Sequence, residues 1–162
     1  THESAIRIIS KVGELNNPAD RDHCLQYMVA IGLLKGNLVA EDYEDEVAKD
    51  PKIDELREKM IINEDKRYSK EYLEADKRSI SNRIQIHFND GTSTDEIEVE
   101  YPIGHKRRRK EGIPILEKKF KDNLAITYTD KVSEQIFELC MNQVELENTS
   151  VIDFQSLFSK IP

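Results

Sequence analysis

The chain has 162 residues, 32 of them acidic and 24 basic, for a formal net charge of −8 at neutral pH. That is the size of one ordinary domain, and the acidic balance argues against nucleic acid as the main partner. No apolar run reaches the roughly 20 residues that a membrane-spanning helix needs, and two cysteines cannot by themselves form a zinc or iron–sulfur site. Hydrophobic residues make up 38% and charged residues 35%, enough for a core but not a generous one. The chain opens on Thr1 rather than methionine, as expected of a fragment or of a processed chain. Cys24 and Cys140 lie among apolar neighbours and read as buried thiols of a protein kept in a reducing compartment.

In chain order, residues 1–15 fit either an extended segment (Ile6, Ile8, Ile9) or a helical turn (Ala5, Ile6, Ile9). Residues 17–36 read as one helix with both ends marked. Asn17 is the N-cap and Pro18 takes the first helical position, where a missing N–H costs nothing. Asp20 and Asp22 suit the positive end of the helix dipole, and Lys35-Gly36 is a stop. Leu25, Met28, Val29, Ile31, Leu33 and Leu34 predict a buried second half. The first turns are polar, and His23 and Tyr27, four residues apart, are expected on one face.

A short helix is predicted over 41–49. Asp50-Pro51 starts another, with Ile53, Leu56 and Met60 on its inner face. Residues 41–55 hold eight acidic and two basic side chains. They show no regular ligand spacing and read as a solvated face rather than a metal or basic-partner site. Residues 60–65 fit a short strand, and 64–78 a polar loop long enough to serve as a flap. A hairpin follows, with Ile80, Ile84, Ile86 and Phe88 on one strand and Ile97, Val99 and Tyr101 on the other. A two-residue Asp90-Gly91 turn of type I′ would set Ile84 opposite Ile97, Arg83 opposite Glu98 and Ile80 opposite Tyr101. Its apolar face needs a cover, for which the 17–36 helix and the Ile6–Ile9 segment are the expected partners. Residues 102–112 read as a loop. Helices are predicted over 114–128, 130–147 and 151–158, the second starting after Thr129 and the third after Ser150 as its cap. The composition shifts near 112, from α+β to all-helical.

The run Lys106-Arg107-Arg108-Arg109-Lys110 stands out in an acidic chain. It fits a solvated loop, a nucleic-acid or localisation signal, or a carboxylate-binding segment. Arginine bonds carboxylates in bidentate fashion, and Gly104 and Gly112 flank the run. No aromatic residues interleave it, which counts against nucleic acid. His105 adjoins it. His23 fits either a bond to Asp20 or another nearby carboxylate, or a general base, since histidine titrates near neutrality. Tyr27 fits core packing with a satisfied hydroxyl, or proton donation. His2 and Glu3 carry the same kind of chemistry.

Several stretches together resemble one family. N-P-A-D-R-D-H-C-L-Q-Y-M-V-A at 17–30 resembles the signature of the PrpD-type (MmgE/PrpD) dehydratases. T-H-E-S-A-I-R-I-I at 1–9, E-D-Y-E-D-E at 41–46, K-R-S-I-S-N at 77–82 and E-V-E-Y-P-I-G-H-K-R-R-R-K-E-G-I-P at 98–114 follow in family order. Family members are much longer, so the resemblance covers their C-terminal part.

The resemblance implies an α+β fold. Residues 1–112 would belong to a lid-like domain with a β-hairpin sheet packed on helices. Residues 113–162 would be helices that return to an N-terminal all-helical domain absent from this chain. It implies dehydration of 2-methylcitrate in the methylcitrate cycle of propionate breakdown, without metal or other cofactor, by a homodimer. The compartment would be the cytoplasm in a bacterium and the mitochondrial matrix in a eukaryote. His23 and Tyr27 are then the catalytic candidates. Asp20, Arg21, His105, Arg107, Arg108 and Arg109 are the candidates for holding a small tricarboxylate, with one or two of the three arginines pointing inward. No nucleic-acid or membrane partner is expected, and this part alone is expected to be inactive. The alternatives are a relative such as cis-aconitate decarboxylase or a diacid epimerase, and a non-catalytic module that binds an acidic partner through residues 106–110.

Overall fold

The computed structural model describes residues 1–159. It is mostly helical with one small antiparallel sheet, an α+β chain as expected, and it divides into two compact units, Thr1–Glu100 and the residues from Tyr101 on.

In the first unit, α1 (Glu3–Ile9) settles the ambiguous start as helix, because the His2 imidazole caps it by accepting the Ala5 N–H at 3.2 Å. The single helix expected over 17–36 is two helices, α2 (Pro18–Arg21) and α3 (Leu25–Lys35). Asn17 and Pro18 begin α2 as expected, but the chain leaves the helix at Cys24 (φ −121°, ψ 107°). The break lets the Arg21 side chain turn inward, where its guanidinium donates to the Tyr43 carbonyl and the Asp45 carboxylate, both at 2.7 Å. Gly36 ends α3 at φ 79°, a left-handed cap that glycine adopts without strain. Ile31 is buried, but Leu33 and Leu34 are exposed, contrary to the expected burial of the whole second half.

After a 3₁₀ turn (Ala40–Tyr43) come α4 (Asp45–Ala48) and α5 (Pro51–Lys59). Asp50 caps α5 through the Lys52 N–H at 3.0 Å. The core of this unit is α3 on α5: Cys24, Tyr27, Ala30, Ile31 and Ile53 are buried, with Leu56 and Met60 packed against them. Arg57 ties α5 to the Gly13 carbonyl at 2.8 Å. Lys35 reaches back to Asp42, whose other carboxylate oxygen accepts the Val39 N–H at 2.9 Å.

Burial pushes the Asp42 carboxyl up, but the Lys35 ammonium and the Val39 N–H outweigh it and hold the group below the usual carboxylate range. A lowered folded pKa adds stability that is present above the unfolded value of about 4 and lost as pH falls through the folded one. Asp42→Asn is expected to cost about 1–3 kcal/mol at neutral pH and to flatten the acid limb of stability against pH. An acid limb parallel to that of the parent would contradict this.

Residues 60–65 are not a strand. The segment expected to be a loop after them holds α6 (Lys66–Leu73), because Asp65 caps it through the Arg67 N–H at 2.9 Å. Two contacts then fasten it to α1: the Ser69 hydroxyl accepts the Glu3 N–H at 2.8 Å, and Tyr72 stacks on His2 with ring centroids 4.3 Å apart.

The hairpin strands β1 (Asn82–Ile84) and β2 (Ile97–Val99) pair in the expected register, Arg83 with Glu98 and Ile84 with Ile97. The turn differs. Gly91 is at φ 87° but Asp90 is not at positive φ, so the turn is not type I′. The Gly91 N–H donates to the Phe88 carbonyl, and the Phe88 N–H to the Thr92 carbonyl, which closes a three-residue loop Asn89-Asp90-Gly91. His87 then bridges Ser93, one residue out of step with the β1–β2 ladder, so residues 94–96 absorb one extra residue as a bulge. Among the described residues the expected cover is also missing from the apolar side: Ile84 and Ile97 are 37% and 61% exposed. Ahead of β1 the alternation is inverted, with Ser79 and Ser81 buried and Ile80 40% exposed.

In the second unit the basic run is not a loop. Lys106–Arg108 form a 3₁₀ turn and α7 (Arg109–Thr127) follows directly, five residues ahead of the expected start at Pro114. Pro114 sits inside this helix, in its second turn, where only the Lys110 carbonyl loses a helical donor. The expected 130–147 helix is α8 (Asp130–Met141) and α9 (Gln143–Asn148), because Asn142 leaves the helix (φ −102°, ψ 93°) and caps α9 through the Glu145 N–H at 3.2 Å. Last is α10 (Val151–Phe158), with Ser150 capping it as expected. Leu124, Ile136 and Leu139 are buried between helices, Phe120 packs on Phe137, and the Tyr128 hydroxyl donates to the Phe158 carbonyl at 3.1 Å.

Candidate functional site

The predicted site residues fall into two groups, one in each unit. In the first, Asp20 is saturated by its own surroundings. It receives the Asn16 N–H at 3.2 Å, the Asn17 amide at 3.1 Å and the Lys11 ammonium at 3.4 Å. Arg21 is 5% exposed and spent on Tyr43 and Asp45. Both residues fix the entry of the chain into α3. The expectation that His23 and Tyr27 share one helix face is corrected by the break at Cys24. Tyr27 is buried in the core, where its hydroxyl donates to the Asp42 carbonyl at 2.6 Å, and burial raises its pKa. His23 stays outside, its side chain 62% exposed and its Nδ1 against the Asp22 carboxylate. A carboxylate on one ring nitrogen fixes the imidazole and leaves the other nitrogen to exchange a proton. Within this group, His23 is the residue with that freedom.

The second group is built around Tyr101, which the hairpin pattern assigned only to a strand. His105 stacks on its ring at 4.5 Å, and the Arg107 guanidinium lies 5.4 Å from the ring centroid. His105 also caps the 3₁₀ turn by accepting the Arg107 N–H at 3.2 Å. Arg108 is held by a bidentate pair with Glu111 and by the Tyr101 carbonyl at 2.8 Å. Arg109 is exposed at the first position of α7. Arg107, Arg108, Lys110 and Glu111 line an open depression of about 370 Å³. Arg108 is occupied by partners within the unit, whereas Arg109 is exposed. The sequence signals for this frame were the aromatic residue four positions before His105 and the acidic residue three after Arg108.

His2, noted in the sequence only as titratable, is 5% exposed, and burial holds its imidazole below the ordinary range. Cys24 is fully buried, and its thiol lies 3.6 Å from the Gln26 side-chain oxygen. Burial also raises the pKa of Cys140. Among the described residues, no three or more His, Cys, Asp or Glu side chains come together as metal ligands, and no helix is long and apolar enough to cross a membrane.

Comparison with known proteins agrees with the motifs. The MmgE/PrpD C-terminal domain matches residues 1–143. The chain is 52% identical over 158 residues to a 2-methylcitrate dehydratase of Escherichia coli K12, covering 98% of this chain and 33% of that protein. Against the mitochondrial 2-methylcitrate dehydratase of Yarrowia lipolytica it is 51% identical over 160 residues, covering 99% of this chain and 30% of the relative. Against the enzyme of that name from Cupriavidus necator the identity is 48% over 159 residues, with 98% and 33% covered. The chain therefore spans about a third of the length of these relatives. With a domain match over residues 1–143 and such identity along nearly its whole length, this chain belongs to the MmgE/PrpD family, of which it carries the C-terminal domain.

Proposed function

We propose that the chain is the C-terminal part of a 2-methylcitrate dehydratase, which removes water from 2-methylcitrate to give 2-methyl-cis-aconitate in propionate catabolism. The observation that carries this reading is the identity of about half of all positions, over nearly the whole chain, to relatives of that name.

The reaction breaks a C–H bond next to a carboxylate and a C–O bond on the neighbouring carbon. A base takes the proton, the electron pair forms the C=C bond, and the hydroxyl leaves with a proton as water. Three carboxylates must be held meanwhile, and the charge that develops beside one of them must be stabilised. In this reading His23, oriented by Asp22, is the proton-transfer group this chain supplies. Arg109 and Arg107 bind carboxylates. Arg108 and His105 position them, through Glu111 and through Tyr101 and the Arg107 N–H. Asp20, Arg21 and Tyr27 hold the start of α3, so they act through His23 rather than on substrate. The acid for the leaving hydroxyl comes from the rest of the enzyme. That remainder is read as an N-terminal helical domain against which the second unit packs, in a homodimer, in bacterial cytoplasm or the mitochondrial matrix according to source.

The test uses the complete polypeptide that contains this chain. It is incubated with 2-methylcitrate, with and without a chelator, and the ultraviolet absorbance of the new conjugated alkene is followed. Turnover that survives the chelator is expected. Folded enzyme without turnover would sink the substrate assignment. Release of carbon dioxide from cis-aconitate would put a decarboxylase in its place, and inversion of a diacid an epimerase.

A further inference from the structure

Among the described residues, Arg78 is the non-glycine residue held at positive φ, at 47°. It closes the turn after α6, where its N–H donates to the Glu74 carbonyl at 2.8 Å. Glycine takes that conformation freely, whereas the Cβ of an arginine is crowded in it. No local contact of the side chain explains the choice. Arg78 is exposed, and its guanidinium makes no ion pair or hydrogen bond among the described residues. Every other arginine outside the basic run is paired: Arg7 with Glu3, Arg21 with Asp45, Arg57 with Asp54, Arg67 with Glu98 and Arg83 with Glu96. In a chain with 32 acidic residues, a guanidinium left over is one kept available.

The next residues break local rules as well. Ser79 and Ser81 bury hydroxyls that have no partner among the described residues, while Ile80 between them faces out. The segment is nevertheless fixed at both ends, by the Glu74 carbonyl and by the Ile80 N–H donating to Glu100 at 3.1 Å. Unfavourable local choices that persist on a pinned backbone concentrate where a side chain must be aimed. A planar guanidinium on a stiff mount suits a carboxylate, which it meets through two parallel hydrogen bonds.

We infer that Arg78 is a carboxylate-binding residue for the tricarboxylate substrate, an inference that rests on the dehydratase reading. The test compares the complete enzyme with its Arg78→Gly and Arg78→Asn variants, both compatible with the left-handed backbone. Tricarballylate, an unreactive tricarboxylate, is titrated at low salt, and melting is followed without ligand. Both variants are expected to bind tricarballylate at least tenfold more weakly. Arg78→Gly is expected to melt no lower than the parent, since it relieves the backbone. Unchanged affinity in the variants, with the parent binding, overturns the role of Arg78 and leaves the dehydratase reading intact. A parent that binds no tricarboxylate overturns both. A clear fall in melting temperature with unchanged affinity would assign Arg78 to a structural ion pair with another part of the enzyme instead.

Discussion

Replacing Gly112 with alanine is expected to lower the unfolding midpoint of the enzyme and to raise its KM. Within a helix, alanine normally stabilises over glycine by about 1 kcal/mol, so the usual expectation has the opposite sign. At Gly112, however, an added Cβ would lie 2.2 Å from the carbonyl oxygen of Ile103 and 3.3 Å from its carbonyl carbon. The obstacle is backbone, which cannot swing aside as a flexible side chain would. Either α7 or the 102–105 turn must move, at about 2–3 kcal/mol for an overpacked site. The turn that would move carries Ile103 and leads into His105, which stacks on Tyr101 and caps the turn holding Lys106–Arg108. The same methyl group therefore disturbs stability and the mounting of the basic segment together. Denaturant unfolding and steady-state kinetics of Gly112→Ala check both, and an unchanged midpoint would show that the close approach is not maintained in solution.

The second large effect is at Arg21. Arg21→Met keeps the bulk of the stem but removes the guanidinium. The Tyr43 carbonyl and the Asp45 carboxylate lose their 2.7 Å donors together. Hydrogen bonds to charged groups contribute about 1.5–3 kcal/mol each. Asp45 is exposed and recovers water, so a net loss of about 2–4 kcal/mol is expected. Both bonds come from one guanidinium nitrogen, Nη1, so Arg21→Lys should recover only what its shorter stem can reach. If Arg21 contacted substrate instead, its loss would raise KM while leaving the unfolding midpoint in place. Here the midpoint is expected to fall, with the kinetics of the molecules that remain folded changed less.

These two sites also mark where reading the sequence succeeded and where it stopped. Short-range chemistry was legible. Asn17-Pro18, Asp50-Pro51, Lys35-Gly36 and Ser150 are where the ends of helices fall, because a cap is made within a few residues. The strand register was legible too, from the alternation of apolar and polar residues along the two strands. The turn was not. Asp-Gly suits a type I′ turn, but Asp90 stays at negative φ and the extra residue is absorbed in a bulge by residues 94–96. The break at Cys24 was hidden because the contact it permits, from Arg21 to Tyr43 and Asp45, lies more than twenty residues away along the chain. The same limit applies to the site. Family motifs picked out the basic run and the Asp20–Tyr27 stretch. They could not say that Arg21, Tyr27 and Arg108 would be occupied internally, leaving His23 and Arg109 facing out.

The measurement that bears most directly on the proposed chemistry is the rate of alkene formation from 2-methylcitrate by the complete enzyme, with Arg109→Ala and Arg108→Ala beside it. Arg109 begins α7 in the open, so its truncation is expected to raise KM about tenfold or more, the worth of one charge-assisted carboxylate contact, with little change in the unfolding midpoint. Arg108 is tied to Glu111 and Tyr101, so its truncation is expected to lower the midpoint as well. Turnover with parental KM in Arg109→Ala would contradict the assignment of the basic segment to substrate carboxylates.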